Sequence, residues 1–300
     1  MNLITKYKNY LALHAIVFIW GFTGILGKLI SISSTSIVWW RMFIASLGIL
    51  FFVAITKRKL KTTPTKGLKY VLTGMVTALH WIFFFESIKV SNVSIGLTAL
   101  ASTSLFVALL EPLLFKRRIL PYEVLMGGFT IIGLGIIFQA ETTYSLGITF
   151  GIISAVLAAV FSTLNGTFVK NDKPTLITTY EMIGGLFGLT IYFGITDGFQ
   201  SFVVPAGIDW VWLLILGLVC TSMAFVISIE VLKELSPFTA SMSINLEPIY
   251  SIIFALIIFK DDEYMSPLFY IGAIIVIGNI FLNGIIKRKT TAKALPSEKA

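Results

Sequence analysis

The sequence predicts an all-α membrane protein with ten transmembrane helices, arranged as two inverted five-helix repeats. Three observations lead there. Hydrophobic residues make up 56% of the 300-residue chain and charged residues only 13%, where a soluble protein carries roughly a quarter. The few charges gather in short breaks between apolar stretches long enough to cross a bilayer. The second half of the chain also echoes the first with its charge reversed. A soluble fold needs polar residues along every surface helix, so lipid is the solvent for most side chains here.

A bilayer core takes roughly 20 apolar residues per helix. The breaks then delimit spans near 11–30, 36–56, 68–88, 92–114, 121–139, 146–168, 174–195, 209–232, 237–259 and 267–286. Pro121, Pro174, Pro237 and Pro267 each fall at an expected helix start, where the missing N–H has no intrahelical partner to lose. Only Pro112 and Pro248 lie inside spans. The apolar run from Leu11 to Ile30, preceded by Lys6 and Lys8, is too long for a signal-peptide core and reads as a retained first span.

Orientation follows from Lys and Arg. One set of breaks holds nineteen of them: Lys6, Lys8, the 57–69 group, Lys116 to Arg118, Lys170, Lys173, Lys233 and the tail from Lys287. The opposite set holds two, Lys89 and Lys260. The positive-inside rule places both termini in the cytoplasm, which requires an even number of spans. The acidic loop residues Asp197, Asp209, Asp261, Asp262 and Glu263 then fall outside. The net charge of +8 follows this topology, so no nucleic-acid partner is expected. A single cysteine, Cys220, excludes an intramolecular disulfide and a multi-cysteine metal site. With only His14 and His80 there is no histidine-rich site, and neither a metal nor a cofactor is expected.

Five spans per half is odd, so the halves must enter the membrane from opposite sides. Adding 144 maps Glu86 onto Glu230, Lys89 onto Lys233, Phe115 onto Phe259 and Lys116 onto Lys260. Adding 140 maps Trp40-Arg41-Met42 onto Tyr180-Glu181-Met182. FKRR at 115–118 is basic where FKDD at 259–262 is acidic, as inversion of one half requires. The first repeat takes residues 1–142 and the second 143–300, the latter with a basic cytoplasmic tail. Such repeats recur in transporters, with the substrate site at their interface near mid-membrane.

Several segments carry a family resemblance: WGFTGILGK at 20–28, WWRMFIASLGIL at 39–50, YEMIGGLFGL at 180–189 and, most clearly, the stretch 245–282. The chain resembles the drug/metabolite transporter superfamily, specifically its EamA-type members, over roughly 10–286. Ser104 stands where the second half has Pro248. The resemblance implies a bacterial inner-membrane transporter of metabolites, often amino acids or related compounds. It also implies a central cavity lined mainly by the first, third, fourth, sixth, eighth and ninth spans.

Ionisable groups within spans are costly and mark function. Glu247 lies near mid-bilayer, with Asn245 before it and Pro248 after it. Thr239, Ser243 and Glu247 recur every four residues and are expected on one helix face. Ser94, Thr98 and Ser102 form the equivalent stripe on the fourth span, and the two stripes are expected to wall one site. Arg41 suits a carboxylate substrate, and Glu181 at the equivalent position suits an amine or a proton. His80 reads as a cavity wall, a proton relay or a packing histidine. Trp20 is a candidate aromatic wall and Asn165 a lone polar group in the sixth span. Glu111, Glu230 and Glu86 read as helix-end anchors beside lysines, Lys28 as a snorkelling lysine, and the glycines of the fifth and tenth spans as packing positions.

The expected function is a secondary transporter of a small metabolite, with export as the favoured direction, embedded in the lipid bilayer and open to proton coupling. Oligomeric state is open, a homodimer being one option. No GxxxxGK[ST] phosphate loop is present, so the chain carries no nucleotide-driven engine of its own. The alternative is a membrane-embedded enzyme acting on a lipid or lipid-linked substrate. Such an enzyme usually needs clustered histidines, paired acids or a Ser/Lys-type nucleophile near one surface, and two scattered histidines and few acids argue against it.

Overall fold

The computed structural model describes residues 3–116, 118, 121–244 and 246–294. Every expected span coincides with a helix or a broken pair of helices. In order these are α1 (Leu3–Trp20), α2 (Thr23–Leu29), α3 (Ser34–Ile55), α4 (Pro64–Val90), α5 (Val93–Leu100), α6 (Thr103–Phe115), α7 (Pro121–Ala140), α8 (Ser145–Phe168) and α9 (Pro174–Thr196). There follow α10 (Asp209–Leu214), a π-helical segment (Ile215–Met223), α11 (Ala224–Val231), α12 (Pro237–Ile244), α13 (Glu247–Phe259) and α14 (Pro267–Ala294). Among the described residues, seven helices, counted across their breaks, are long and apolar enough to cross a membrane. All four expected start prolines open a helix, and Pro64 opens α4 as well.

Three expected spans are interrupted. The first begins earlier than its apolar run, at Leu3, and breaks at Gly21 and Phe22. Ser251 donates to the Gly21 carbonyl there, and Trp20 Nε1 donates to the Cys220 carbonyl at 2.9 Å. The fourth breaks after α5 at Ala101 and Ser102, and the ninth between Ile244 and Glu247. Pro248 therefore sits in the first turn of α13 and does not kink a continuous helix. The α5–α6 break is made without proline. Ser102, Thr103 and Ser104 donate their hydroxyls to the carbonyls of Ala99, Leu100 and Ala101, at 2.7, 2.7 and 3.3 Å. The hydroxyls thus cover carbonyls at the C-terminal end of α5, of which that of Ala99 also accepts the Ser102 amide at 3.1 Å.

Connecting segments alternate between two ends. At one end, Lys66 pairs with Asp172 at 2.7 Å, Arg58 donates to Thr175 at 2.8 Å and Tyr180 donates to the Leu60 carbonyl at 3.2 Å. This end carries the lysine-rich loops. At the other, acidic end, the Ser31 hydroxyl donates to Asp209 at 2.6 Å, Trp40 to the Val203 carbonyl at 3.0 Å, and the Ser266 amide to Glu141 at 2.9 Å.

Helix pairing is close where glycine allows it. α4 packs on both α8 and α9, and α7 packs on α14. A Cβ on Gly133 of α7 would stand 2.9 Å from the Gly272 carbonyl oxygen of α14, so these two spans do meet through small residues as expected. α10, the π segment and α11 pack on α1 and α3, and α5 packs on α13.

Asp172 gives a test of the basic end. Burial acts to raise its pKa, but hydrogen bonds from Lys66 and Tyr70 and the Lys66 charge outweigh it and hold the carboxyl below its ordinary value. A depressed folded pKa contributes stability above the unfolded value, about 4, which is lost as pH falls through the folded value. Asp172→Asn should cost about 1 kcal/mol at neutral pH, Lys66 being partly exposed. The variant should also lack the wild type's extra loss of stability in acid. Thermal unfolding in detergent at both pH values checks this, and parallel pH curves for the two proteins would refute it.

Candidate functional site

The broken helices enclose a cavity. About 110 Å³ of it is free to the centre of a water-sized molecule, room for several waters or a small organic molecule. Its walls come from α1 and α2 (Leu13, Trp20, Thr23), α4 (His80, Trp81, Phe84), the α5–α6 junction (Leu100, Ala101, Thr103) and α8 (Ala158, Phe161, Ser162, Asn165). α11 adds Phe225, Ser228, Ile229 and Leu232, and the α12–α13 region adds Ala240, Ile244, Glu247 and Pro248. These belong to the six spans expected from the sequence. Arg41 of α3 is an addition from the second span.

Arg41 is 2% exposed. Its guanidinium carbon stands 3.7 Å from the centroid of the Trp81 ring, and Nε donates to Thr221 Oγ1 at 2.6 Å. Thr221 lies in the π segment and donates its own hydroxyl to the Leu216 carbonyl five residues back, at 2.7 Å. The π geometry therefore presents the oxygen that fixes Arg41, in keeping with the concentration of π segments at functional sites. Nη1 has no hydrogen-bond partner, and no acidic group lies within 4 Å of the guanidinium among the described residues. Stacking on an indole and one hydrogen bond fix the plane of the fork and leave a charged nitrogen unspent.

Glu247 is the first residue of α13 and 6% exposed, its carboxyl reaching the cavity. The helix N-terminus favours a negative charge there. An arginine and a glutamate thus line one cavity without forming an ion pair. Aromatic rings of Trp20, Trp81, Phe84, Phe161 and Phe225 supply much of the remaining wall.

His80 is tied down on one side. Nδ1 lies 2.9 Å from the Ser154 carbonyl and 2.8 Å from Ser154 Oγ, whose hydroxyl donates to the His80 carbonyl at 3.0 Å. A carbonyl partner requires the proton on Nδ1, which makes Nε2 the free acceptor. Asn165 lines the cavity and donates from Nδ2 to Glu181 Oε2 at 3.3 Å. Glu181 itself stands behind the wall, fully buried on α9.

The hydroxyl stripes do not reach the cavity. Thr98 donates to the Ser94 carbonyl, Ser102 to Ala99 and Ser243 to Thr239, all within their own helices. The four-residue stripe on the ninth span ends because the helix stops at Ile244 and restarts at Glu247. Asn245 lies outside the described residues.

At the acidic end of the helices lie contacts that the sequence did not reveal. Glu263, fully buried, accepts from the Val93 amide at 3.0 Å, the Ser94 amide at 2.9 Å and the Ser94 hydroxyl at 2.8 Å. Lys28 pairs with the same carboxylate at 3.0 Å and lies 4.4 Å from the Phe259 ring centroid. Lys28 is therefore a buried-pair partner and not a snorkelling residue. Glu111 similarly accepts from the Phe238 amide at the start of α12. Glu230 pairs with Lys233 at 2.6 Å on the surface, as the anchor reading expects.

A model of the EamA-like transporter family matches the chain twice, over residues 8–139 and 145–285. Two uncharacterized transporters of Bacillus subtilis (strain 168) are similar over most of their lengths. YyaM is 24% identical over 266 residues, covering 85% of this chain and 86% of that one. YxxF is 22% identical over 285 residues, covering 91% and 88%. A crystal structure at 14% identity superposes with a TM-score of 0.71, covering 94% of this chain and 98% of that one. At that identity the superposition shows the fold alone.

Proposed function

The chain belongs to the EamA-like transporter family, and from that premise we propose that it moves a small zwitterionic metabolite, an amino acid or a related compound, by alternating access. It is a multi-pass membrane transporter; the substrate, the mechanism and the direction are the proposal. The observation that carries it is the pair Arg41 and Glu247, facing one aromatic-walled cavity with no ion pair between them and with Arg41 Nη1 unpartnered among the described residues. A carboxylate on Arg41 and an ammonium on Glu247 would each replace water with an opposite charge, and the rings suit an apolar side chain.

Ten spans in two inverted repeats fit the packing. Exchanging each span with the one five places on maps the largest pairings onto one another. α4 on α8 and α9 becomes α10–α11 on α1 and α3, while α7 on α14, α3 on α9 and α5 on α13 map onto themselves. The α5–α6 break at 101–102 recurs between Ile244 and Glu247 at the same offset of 144 that relates the sequence echoes. The cavity lining reaches toward the basic end at Asn165, Leu232 and Ala240, while Glu263 and Lys28 at the acidic end pair with each other and do not line it. With the basic end in the cytoplasm of a bacterial inner membrane, this is an inward-facing state, and loading from inside favours export.

Flux in proteoliposomes tests the function. An apolar amino acid should exchange saturably, while its amide, lacking the carboxylate, and its deaminated acid, lacking the ammonium, should compete at least about tenfold less well, the loss of one charged contact. Equal competition by all three would overturn the zwitterion reading. Turnover of a lipid without flux would favour the enzyme instead. Orientation is checked with cysteines in a Cys220→Ala background. Lys59→Cys should resist an impermeant thiol reagent in intact cells and Gln200→Cys should react, and the reverse pattern would invert the assignment.

A further inference from the structure

We infer that Asn165 and Glu181 form a proton-controlled amide switch in the cavity wall. Glu181 Oε2 is 3.3 Å from Asn165 Nδ2. Glu181 Oε1 and Asn165 Oδ1 are both buried, and neither has a hydrogen-bond partner among the described residues. Two stranded acceptors in one side-chain pair are short of one hydrogen, and a buried polar atom without a partner is costly. One proton resolves the shortage. Delivered as hydronium through cavity water, which is left as neutral water, it forms an O–H bond on the Glu181 carboxylate, and a half-turn of the Asn165 amide about its last side-chain bond lets that O–H donate to Oδ1. No covalent bond of Asn165 changes. The oxygen and NH₂ ends of an amide are nearly the same size, so the half-turn needs little repacking.

The consequence reaches the substrate because Asn165 lines the cavity while Glu181 does not. With Glu181 ionised, the amide spends its N–H inward, and its carbonyl, closed off in the wall, is the acceptor left for a substrate that parts the wall. With Glu181 protonated, the carbonyl is spent and the N–H is left. An ammonium or hydroxyl donor on the substrate is matched only by the first state. Substrate and proton then exclude one another through one amide, which is the requirement for exchange transport.

The surroundings leave Glu181 to titrate without a counter-ion. On α4, Tyr70 is the titratable group that senses its charge, and Gly74 packs against the Glu181 backbone. α8 presents Asn165, α3 presents Met42 against Gly185, and on α11 Glu230 is turned outward and paired with Lys233. Asp172, past Tyr70 in the α8–α9 connection, is held by Lys66.

This inference rests on the cavity described above, but its test needs no substrate. Infrared difference spectra are recorded on the purified full-length protein in lipid vesicles after a pH step. Acidification should add a protonated-carboxyl C=O band and shift a side-chain amide C=O band together. Glu181→Gln should lose both signals. Asn165→Leu should keep the carboxyl band and lose the amide shift, which serves if Glu181→Gln does not fold. Glu247→Gln removes the carboxyl that lines the cavity and should leave the coupled pair of signals. A carboxyl band with no amide shift in wild type, or coupled signals surviving in Glu181→Gln, overturns the switch. Missing flux with intact spectra would instead sink the transport reading alone.

Discussion

Arg41→Met is expected to stabilise the protein while weakening substrate binding about 100-fold. The two effects have one cause. The guanidinium is buried at 2% exposure, with one donor nitrogen unpartnered and no carboxylate within 4 Å among the described residues. An uncompensated buried charge is a cost to folding, and a hydrophobic side chain of similar volume in its place is worth about 1–2 kcal/mol even after the Thr221 hydrogen bond is lost. The same charge is what a substrate carboxylate would complete. Losing one side of a buried charge pair costs about 3 kcal/mol of binding, which is roughly 100-fold. Arg41→Lys keeps the charge but not the flat fork stacked on Trp81, so part of the flux should survive. Melting curves and transport assays on the same preparations decide it. A variant that melts higher and transports normally would remove Arg41 from the site and leave it as packing.

Glu263→Ala should loosen the acidic end. Its carboxylate caps α5 through two amides and a hydroxyl and neutralises Lys28. Asp262, at 3.8 Å from Lys28 and largely exposed, is a poor substitute. Removing one partner of a buried pair costs about 3 kcal/mol, and here that loss falls on the state in which α5, α2 and the 260–263 turn are closed together. The balance between closed and open should move roughly 100-fold toward open. Thr23→Cys, on the cavity wall and 4% exposed, reports the change. In a Cys220→Ala background it should react slowly with an impermeant thiol reagent from the acidic side, and far faster when Glu263→Ala is added. Unchanged reactivity would mean that the Glu263 cluster is a structural cap and not a gate.

The hydrophobic segments, their capping prolines and the segregation of charge were legible in the sequence because each is a local property. An apolar stretch of the right length in lipid must be helical whatever it packs against, and a proline at a helix start needs only its own turn. The six cavity-lining spans were legible through resemblance, and Arg41, Glu247, His80, Trp20 and Asn165 through the expense of placing polar or amphipathic groups at that depth. The helix breaks were not. Ser102, Thr103 and Ser104 read as one more apolar-helix stretch until their hydroxyls are seen taking the carbonyls of Ala99 to Ala101. Four-residue periodicity therefore gave Thr98, Ser102 and Ser243 a wall they do not line.

The π segment, the Trp81 platform under Arg41 and the burial of Glu263 on the α5 amides were decided by tertiary structure alone. Each depends on groups 40 to 180 residues apart in the chain meeting at one point. The sequence by itself determined which residues would be immersed in lipid and which would be costly there. Where those costly residues find partners, and which of them are left with none, is fixed by helix packing, because a hydrogen bond or an ion pair depends on distances of a few ångströms that no pattern along one helix specifies.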